Sequence, residues 1–509
     1  MNYKAIVLTA SLLTSYSSVA TDLRSSSSLQ GITRTSSVMH LLRSSVRRSS
    51  SKLRWLSLLL PLATFVPPAL AQADFTDERL AGLELEYVGR DLSGGKASVY
   101  LDLTYWHLFA SHQKGWNGGD GVYSTTLPDG NSFWSFGDSF FGLISEFRDR
   151  RRPANLPRNA AMVQTGERSH SDFHVLNELC STDPNDRERY YKGKTWLRHP
   201  NAKALSQSDI DNGSTDSDRF YWPGDATVIH RDGKPILQVL WGSIFGNMNR
   251  DETALSEHAL EGTPGDGEYM RLLRLIPNVV DYSGGYGSGI IEAPDGHTYL
   301  YGTTGTASGF GSVPVVARTA THDLTSTWEY WISDGKGHFA WQTATPTTAE
   351  IQRSDISHGE WVTEPSMMAY GDYYYMVSQD GLNGNIYIYQ ASDPWGPFEN
   401  RKCLYNVPDE HANTYNAFVH PQLSRTGELV ISYNMNAVTL VTYHKNSRGE
   451  IVEDNADGFW RNFNAWGSAD LYQPHFIRVF GWQSLFGVPD LGPVADAGII
   501  EYEKMKSHE

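Results

Sequence analysis

Two cysteines in 509 residues leave no disulfide scaffold and no cysteine-rich zinc site. Cys180 and Cys403 permit one bridge at most, and spacing does not say whether it forms. Positive charge is short too: 42 Lys+Arg stand against 58 Asp+Glu, a net charge of −16. The lack of a basic face to release counterions argues against a nucleic-acid partner, and none is expected. There is no His-Glu-x-x-His, no Gly-x-Ser-x-Gly elbow and no phosphate-binding Gly-x-x-x-x-Gly-Lys. The glycines of Ser283–Gly289 precede a strand pattern rather than a helix, which argues against a dinucleotide site.

Long hydrophobic runs are missing as well. The run from Trp55 to Val66 falls short of the roughly 20 residues that span a bilayer, and prolines at 61, 67 and 68 interrupt or bound it. A basic segment, Arg43 to Arg54, precedes it and Ala69-Leu70-Ala71 follows, the order of a secretory signal peptide. Residues 1–71 therefore read as a targeting region with a signal peptide over about 39–71. Met39 is a candidate start, and Ala5 to Leu13 a competing apolar run if translation begins at Met1. The expected fate is a secreted, extracellular protein, or a periplasmic one in a Gram-negative cell, with no stable membrane span. The Ser-rich stretch from Ser25 to Ser51 has no apolar periodicity. Beyond residue 71 the chain holds 34 bases and 57 acids, net −23. Its basic run Arg148–Arg152 reads as a solvated loop, and Asn212-Gly213-Ser214 is a glycosylation sequon where the host modifies secreted proteins.

What the chain has in quantity is aromatic residues, 12% of the total, and glycine. Five stretches share one layout of apolar strand, glycine-containing turn and aromatic or β-branched strand: Val122–Phe136, Ala226–Leu240, Gly289–Tyr301, Pro365–Val377 and Pro421–Tyr433. Further strand-like runs follow several of them, at Asn159–Thr165, Val313–Ala317 and Ile386–Gln390. Each unit has room for four strands, and radial closure of such sheets leaves only short edges. The expectation is an all-β fold, a five-bladed β-propeller of four-stranded antiparallel blades, forming one domain over residues 72–509. A β-sandwich or two stacked β domains is the competing architecture.

In a propeller, residues just before the first strand of a blade and at the end of its second strand converge on one mouth. Applied to the five hairpins, that rule gathers Asp120, Asp138, Asp225, Glu364 and His420. Singly, an aspartate beside glycine is a common turn former. Gathered in a partly desolvated funnel, carboxylates raise one another's pKa, so one keeps a proton while another stays ionised. Paired carboxylates are what glycosidic-bond cleavage uses. Trp116, Trp134, Tyr221, Trp222, Tyr286, Tyr415, Asn416, Tyr433, Asn434 and Asn436 add rings and amides suited to a neutral polyhydroxylated ligand. Asn159, Trp222, Tyr286, Tyr415, Asn416, His420 and Asn434 are the expected substrate-binding set; Trp134, Tyr299 and Tyr375 read as packing between blades.

The succession Trp134-Ser-Phe-Gly-Asp138, Tyr221-Trp-Pro-Gly-Asp225, Tyr286-Gly-Ser-Gly-Ile-Ile, Trp328-Glu-Tyr-Trp331, Tyr415-Asn-Ala-Phe-Val-His-Pro421 and Ser432-Tyr-Asn-Met-Asn436 resembles the secreted five-bladed propellers long filed as a domain of unknown function. Some relatives of that group are endo-D-arabinanases. The resemblance runs from about Gly118 to Val479 and is specific for fold rather than for substrate. It implies a glycoside hydrolase-like site at the channel mouth, with Asp120 and Asp138 as the catalytic carboxylates, Asp225 orienting substrate or tuning a pKa, and Glu364 at the blade-four position.

Three functions follow as expectations: a glycoside hydrolase acting on a polysaccharide or oligosaccharide, furanose-containing by resemblance; a non-catalytic carbohydrate-binding propeller; and a polysaccharide lyase with Tyr415 or His420 taking a proton, which requires Arg158 and Arg318 at the channel. No cofactor is required. A structural Ca²⁺ on the axis is compatible with the fold, although no loop has metal-binding spacing.

Overall fold

The five turn glycines at 130, 233, 296, 371 and 427 all take positive φ, from +58° at Gly371 to +86° at Gly296. That is the backbone that tight hairpin turns need and that a Cβ disfavours. A computed structural model of the chain describes residues 82–494 apart from 113, 147, 149, 166–171, 187–188, 212–215, 217, 247, 265, 267, 281–284, 307–310, 381–383, 408–411, 438–442, 446–450 and 454–466. The targeting region and the sequon lie outside the described residues.

The strands form a five-bladed propeller. Blade one runs outward from the axis as Tyr123–Thr126, Ser132–Phe136, Ala160–Thr165 and Asp172–Val175. Blade two is Arg219–Arg231, Lys234–Phe245, Asn249–Ala259 and Leu272–Val280; blade four is Ser366–Tyr370, Tyr373–Gln379, Asn385–Ala391 and Glu399–Asn406. Blade three has Tyr286–Glu292, Thr298–Gly305, Ser312–Thr319 and Trp328–Ser333, and Phe339–Gln342 adds a fifth strand. In blade five, Ala412–Val419, Glu428–Ala437 and His475–Phe480 are joined on the outside by the N-terminal strands Ser98–Asp102 and Leu85–Arg90. Strands from the two ends of the described chain thus close the ring by pairing, Val99 opposite Val479.

Each blade buries both faces against its neighbours. Phe133 and Val163 of blade one meet Tyr221 and Trp241 of blade two. Leu240 meets Tyr286 and Leu300 across the next gap, Tyr301 meets Met367 and Met376, and Tyr375 meets Ile431 and Val479. Trp134 and Phe136 complete the circle against Val430 and Phe476. Trp134, Tyr299 and Tyr375 are fully buried packing residues, as their alternation along the strands implies. At the ring closure a fully buried Arg478 lies between Asp102 and Glu428, both at 2.5 Å. Asp102 also caps the helix Leu103–Ala110 by accepting from Tyr105 N.

Two local features differ from the sequence reading. The fifth hairpin has its first strand at Ala412–Val419, and Pro421–Leu423 is a 3₁₀ turn. Pro421 has no N–H to give a ladder, and Leu423 N and Ser424 N close the turn onto His420 O and Pro421 O. The basic run is not simply a solvated loop: Arg150–Asn155 is a strand, paired to Ser139–Ile144, which pairs in turn to Lys114–Gly119. Arg148 is tied to Asp470 at 2.6 Å. Cys180 and Cys403 are separate free thiols.

Candidate active site

The small sheet of Lys114–Gly119 and Ser139–Ile144 continues the first hairpin of blade one past the channel mouth. Gly119 pairs with Ser139 on one side of the junction, and Tyr123 with Ser135 on the other. Asp120 and Asp138 occupy that junction on opposite strands. Gly137 N donates to Asp120 O at 2.6 Å, so the two aspartates are cross-strand neighbours rather than distant residues. Gly137 has no room for a side chain: a Cβ there would stand 2.7 Å from Asp120 Oδ1. Asn434 of blade five brackets the same segment, its Oδ1 accepting from Gly121 N and its Nδ2 donating to Gly119 O, both at 3.2 Å.

The two carboxyls have different surroundings. Asp120 Oδ2 accepts from the Tyr415 hydroxyl at 2.9 Å. The Tyr472 hydroxyl, 3.0 Å from Asp138 O, is within hydrogen-bond reach of Asp120 as well. Burial and the Asp138 charge push the Asp120 carboxyl up to about 7 against the pull of these two phenols. Burial raises Asp138 too, opposed by Arg158 at 3.2 Å and by Trp222 Nε1, which donates to Oδ1 at 3.2 Å. Arg158 is itself held by Asp216 O at 2.7 Å and lies over the Phe220 ring. A cation and an indole N–H aimed at Asp138 favour its ionised form, while Asp120 keeps a proton near neutrality.

Asp225 sits where the first strand of blade two bulges between Pro223 and Ala226, a device that re-aims a side chain. Its oxygens accept from Ala226 N at 2.9 Å and from Ile290 N of blade three at 2.8 Å. Burial still raises its carboxyl to about 7. Glu364 opens onto the mouth yet has protein packed around it; burial raises its carboxyl while Arg250 draws it down. Its charge is felt at both Asp120 and Tyr415. Below the acids the axis holds a cavity of about 170 Å³ with walls from all five blades, among them Tyr123, Asp225, Ile290, Met367 and Phe418.

Of the expected substrate set, Trp222, Tyr415 and Asn416 stand with the acids; Asn434 does too, but it is buried and its amide is spent on Gly121 N and Gly119 O. Asn416 takes φ +56°, beside a bulge between Tyr415 and Phe418. Three others are elsewhere. His420 ends the first strand of blade five instead of preceding it, so it lies away from the mouth. It is fully buried, with Nδ1 on Ser124 Oγ at 2.6 Å and Nε2 on Ser432 Oγ at 2.8 Å, and burial pushes it down to about 3. The Asn159 side chain is spent on Leu197 N, Leu197 O and Tyr221 O, pinning blade one to blade two. The Tyr286 ring packs in the gap between blades two and three near Trp328 and Tyr330. Trp116, Tyr221 and Tyr433 are buried as well. Arg158 does reach the mouth; Arg318 instead pairs with Glu329 at 2.7 Å and covers Trp341.

Tyr472, Arg158 and Arg250 are the neighbours of the acids that the sequence reading passed over or left conditional. Tyr472 follows the short helix Ser468–Leu471 in a segment with no strand alternation to mark it. Among the described residues no three His, Cys, Asp or Glu side chains gather in a metal-holding arrangement, and no helix is long and apolar enough to cross a membrane.

A family model described as "Domain of unknown function (DUF5005)" matches residues 102–482. No curated protein matches the chain. A crystal structure from Bacteroides ovatus ATCC 8483, of a protein provisionally assigned as a hydrolase, is 40% identical with a TM-score of 0.68, covering 80% of this chain and 96% of that one. A GH43_1 enzyme from Xanthomonas citri is 12% identical with a TM-score of 0.34, covering 68% of this chain and 95% of that one. An alpha-L-arabinofuranosidase from Lactobacillus brevis is 11% identical with a TM-score of 0.37, covering 75% and 96%. Likenesses of the last two sizes say nothing of substrate.

Proposed function

The chain belongs to the family described as "Domain of unknown function (DUF5005)", and from the geometry of its mouth we propose that it is a secreted glycoside hydrolase acting on a polysaccharide or oligosaccharide. The observation that carries this reading is the cross-strand placement of Asp120 and Asp138 with unlike partners, phenols on one and a guanidinium on the other. In the reaction, protonated Asp120 gives its proton to the glycosidic oxygen as the bond to the anomeric carbon breaks. The Asp138 carboxylate either attacks that carbon or takes a proton from the water that does. Its partners Arg158 and Trp222 hold it in place and ionised. Asp225 and Glu364 supply hydrogen-bond acceptors along the funnel, and Glu364, when ionised, opposes loss of the Asp120 proton.

A furanose glycan such as an arabinan is the substrate the family resemblance points to, and Trp222 and Tyr415 are the rings for it to lie against. The competing reading, a propeller that binds glycan without cutting it, draws on one observation: Asp138 is already engaged by both Arg158 and Trp222. Digestion of a glycan panel separates the two. Hydrolysis predicts new reducing ends with wild-type protein and their loss with Asp120→Asn; retention on the glycan with no new ends from wild-type protein would favour binding alone.

A further inference from the structure

Trp361 is the most open tryptophan among the described residues, with 51% of its surface exposed. The exposed Tyr87, Val88, Leu272 and Leu273, by contrast, lie on the outermost strands of their blades. Trp361 sits three residues before Glu364, on the approach to the first strand of blade four. Its ring rests on Gly311, which closes the loop between the second and third strands of blade three: Thr306 N donates to Gly311 O, and Gly305 pairs with Ser312. In a propeller that loop and the start of each first strand share one end of the channel, so Trp361 stands on the same side as the acids.

The contact with Gly311 is face-on. A Cβ built on Gly311 would be 3.0 Å from Trp361 Cδ2, 3.0 Å from Cε2 and 3.2 Å from Cγ. Near-equal distances of that length to three atoms of a five-membered ring put the point above the ring plane, not at its edge. Gly311 also has φ +81°, so neither space nor backbone there suits a larger residue. The flanking chain is held: Val362 N donates to Ser312 O at 3.0 Å and Ser312 Oγ donates to Val362 O at 2.6 Å. Asp355 accepts from Ser357 N and from Ser357 Oγ at the root of the same loop. Val362 itself is buried. A large ring has thus been set flat on a backbone, with its neighbours locked and half of its surface left to solvent.

We propose that Trp361 is an outer sugar-binding platform, so that the substrate is a chain of sugars that crosses blades three and four before entering the mouth. The platform lies beside the third strand of blade three, two strand spacings or roughly 10 Å from the innermost strand. A single sugar at Asp120 and Asp138, which stand on blade one, does not reach across blade three to the platform; an oligosaccharide does. The inference rests on the glycan reading given above and adds to it a preference for length, with Trp361 as the residue that sets it.

The test measures binding apart from cleavage. Ladders of α-arabino- and β-xylo-oligosaccharides, from disaccharide to hexasaccharide, are titrated by calorimetry into Asp120→Asn protein with Trp361 either intact or replaced by Ala or Tyr. The expected result is affinity that rises with chain length on at least one ladder. Trp361→Ala should lower it by about tenfold for the longest members only, Trp361→Tyr should restore most of it, and the melting temperature should be unchanged. Wild-type kcat/KM on the long and short members of the same ladder should show the same split. Affinity independent of length, no binding to either ladder, or equal binding with and without Trp361 would overturn the platform. Failure of hydrolysis alone, with length-dependent binding through Trp361 preserved, would reject the hydrolase reading and leave the platform standing.

Discussion

At the scale of single residues, the account depends on one carboxyl keeping its proton while its neighbour does not. Asp120→Asn and Asp138→Asn should each lower kcat by about 10²–10⁴-fold, with melting temperatures unchanged or higher, because each removes a carboxylate whose ionised form is disfavoured by burial. Reducing-end assays and thermal melts check both halves. With the Asp120 carboxyl near 7 and acting as the acid, kcat/KM should fall as pH rises above about 7. Tyr415→Phe removes a hydrogen bond that favours the ionised form, so the alkaline limb of that profile should move to higher pH; a limb that stays or moves down counts against the assignment. Asp120 and Asp138 were legible because each adjoins glycine at a predictable corner of a hairpin. Asn159 and Tyr286 were misread for a reason no single residue reveals: a polar or aromatic side chain near the end of a strand faces either the mouth or the gap between blades, and only register decides which.

At the scale of elements, the bulges are what turn a regular blade into a site. The first strands of blades two, three and five shift register at Pro223/Ala226, Tyr286/Gly289 and Tyr415/Phe418. Asp225 and Asn416 sit within two of these irregularities. A bulge has no signature in hydrophobic alternation beyond the glycine or asparagine that tolerates it, which is why the hairpins could be read and their exact registers could not. His420 is the clearest case: moving the first strand of blade five to Ala412–Val419 turns a residue expected before a strand into the one that ends it. Gly137 makes a direct test of how closely the corner is built. Gly137→Ala would put a methyl group 2.7 Å from Asp120 Oδ1; the expected outcome is loss of most activity in a protein that still folds, seen as a lower kcat with little change in the circular dichroism.

At the scale of the whole molecule, the ring is closed by hydrogen bonds between the two ends of the described chain, so closure should govern stability. Arg478→Met leaves the buried Asp102 and Glu428 without their cation and should destabilise by about 3–5 kcal/mol in a urea melt. Stability should also depend on pH with a definite sign. Asp120 and Asp225 hold protons up to about 7 when folded, well above the ordinary carboxyl value of 3.8. Between these values the two carboxyls bind more protons folded than unfolded, so their contribution to stability falls as pH rises, while buried His199, His258 and His420, pushed down by burial, contribute with the opposite sign below about 6.5. Asp225→Asn should raise the melting temperature at pH 8 relative to that at pH 5; an unchanged difference contradicts the assigned shift. The repeat was open to sequence reading because every blade needs the same turn. The sheet that carries Asp120 and Asp138 past the mouth was not, since Lys114–Gly119 and Arg150–Asn155 are rich in glycine and arginine and carry no strand alternation. The most direct measurement of what the mouth does is cleavage in H₂¹⁸O, with products read by mass spectrometry. Hydrolysis at the acid pair predicts one labelled oxygen at each new reducing end, formed by wild-type protein and not by Asp120→Asn; unsaturated products without label, or labelled products formed equally well by Asp120→Asn, would contradict it.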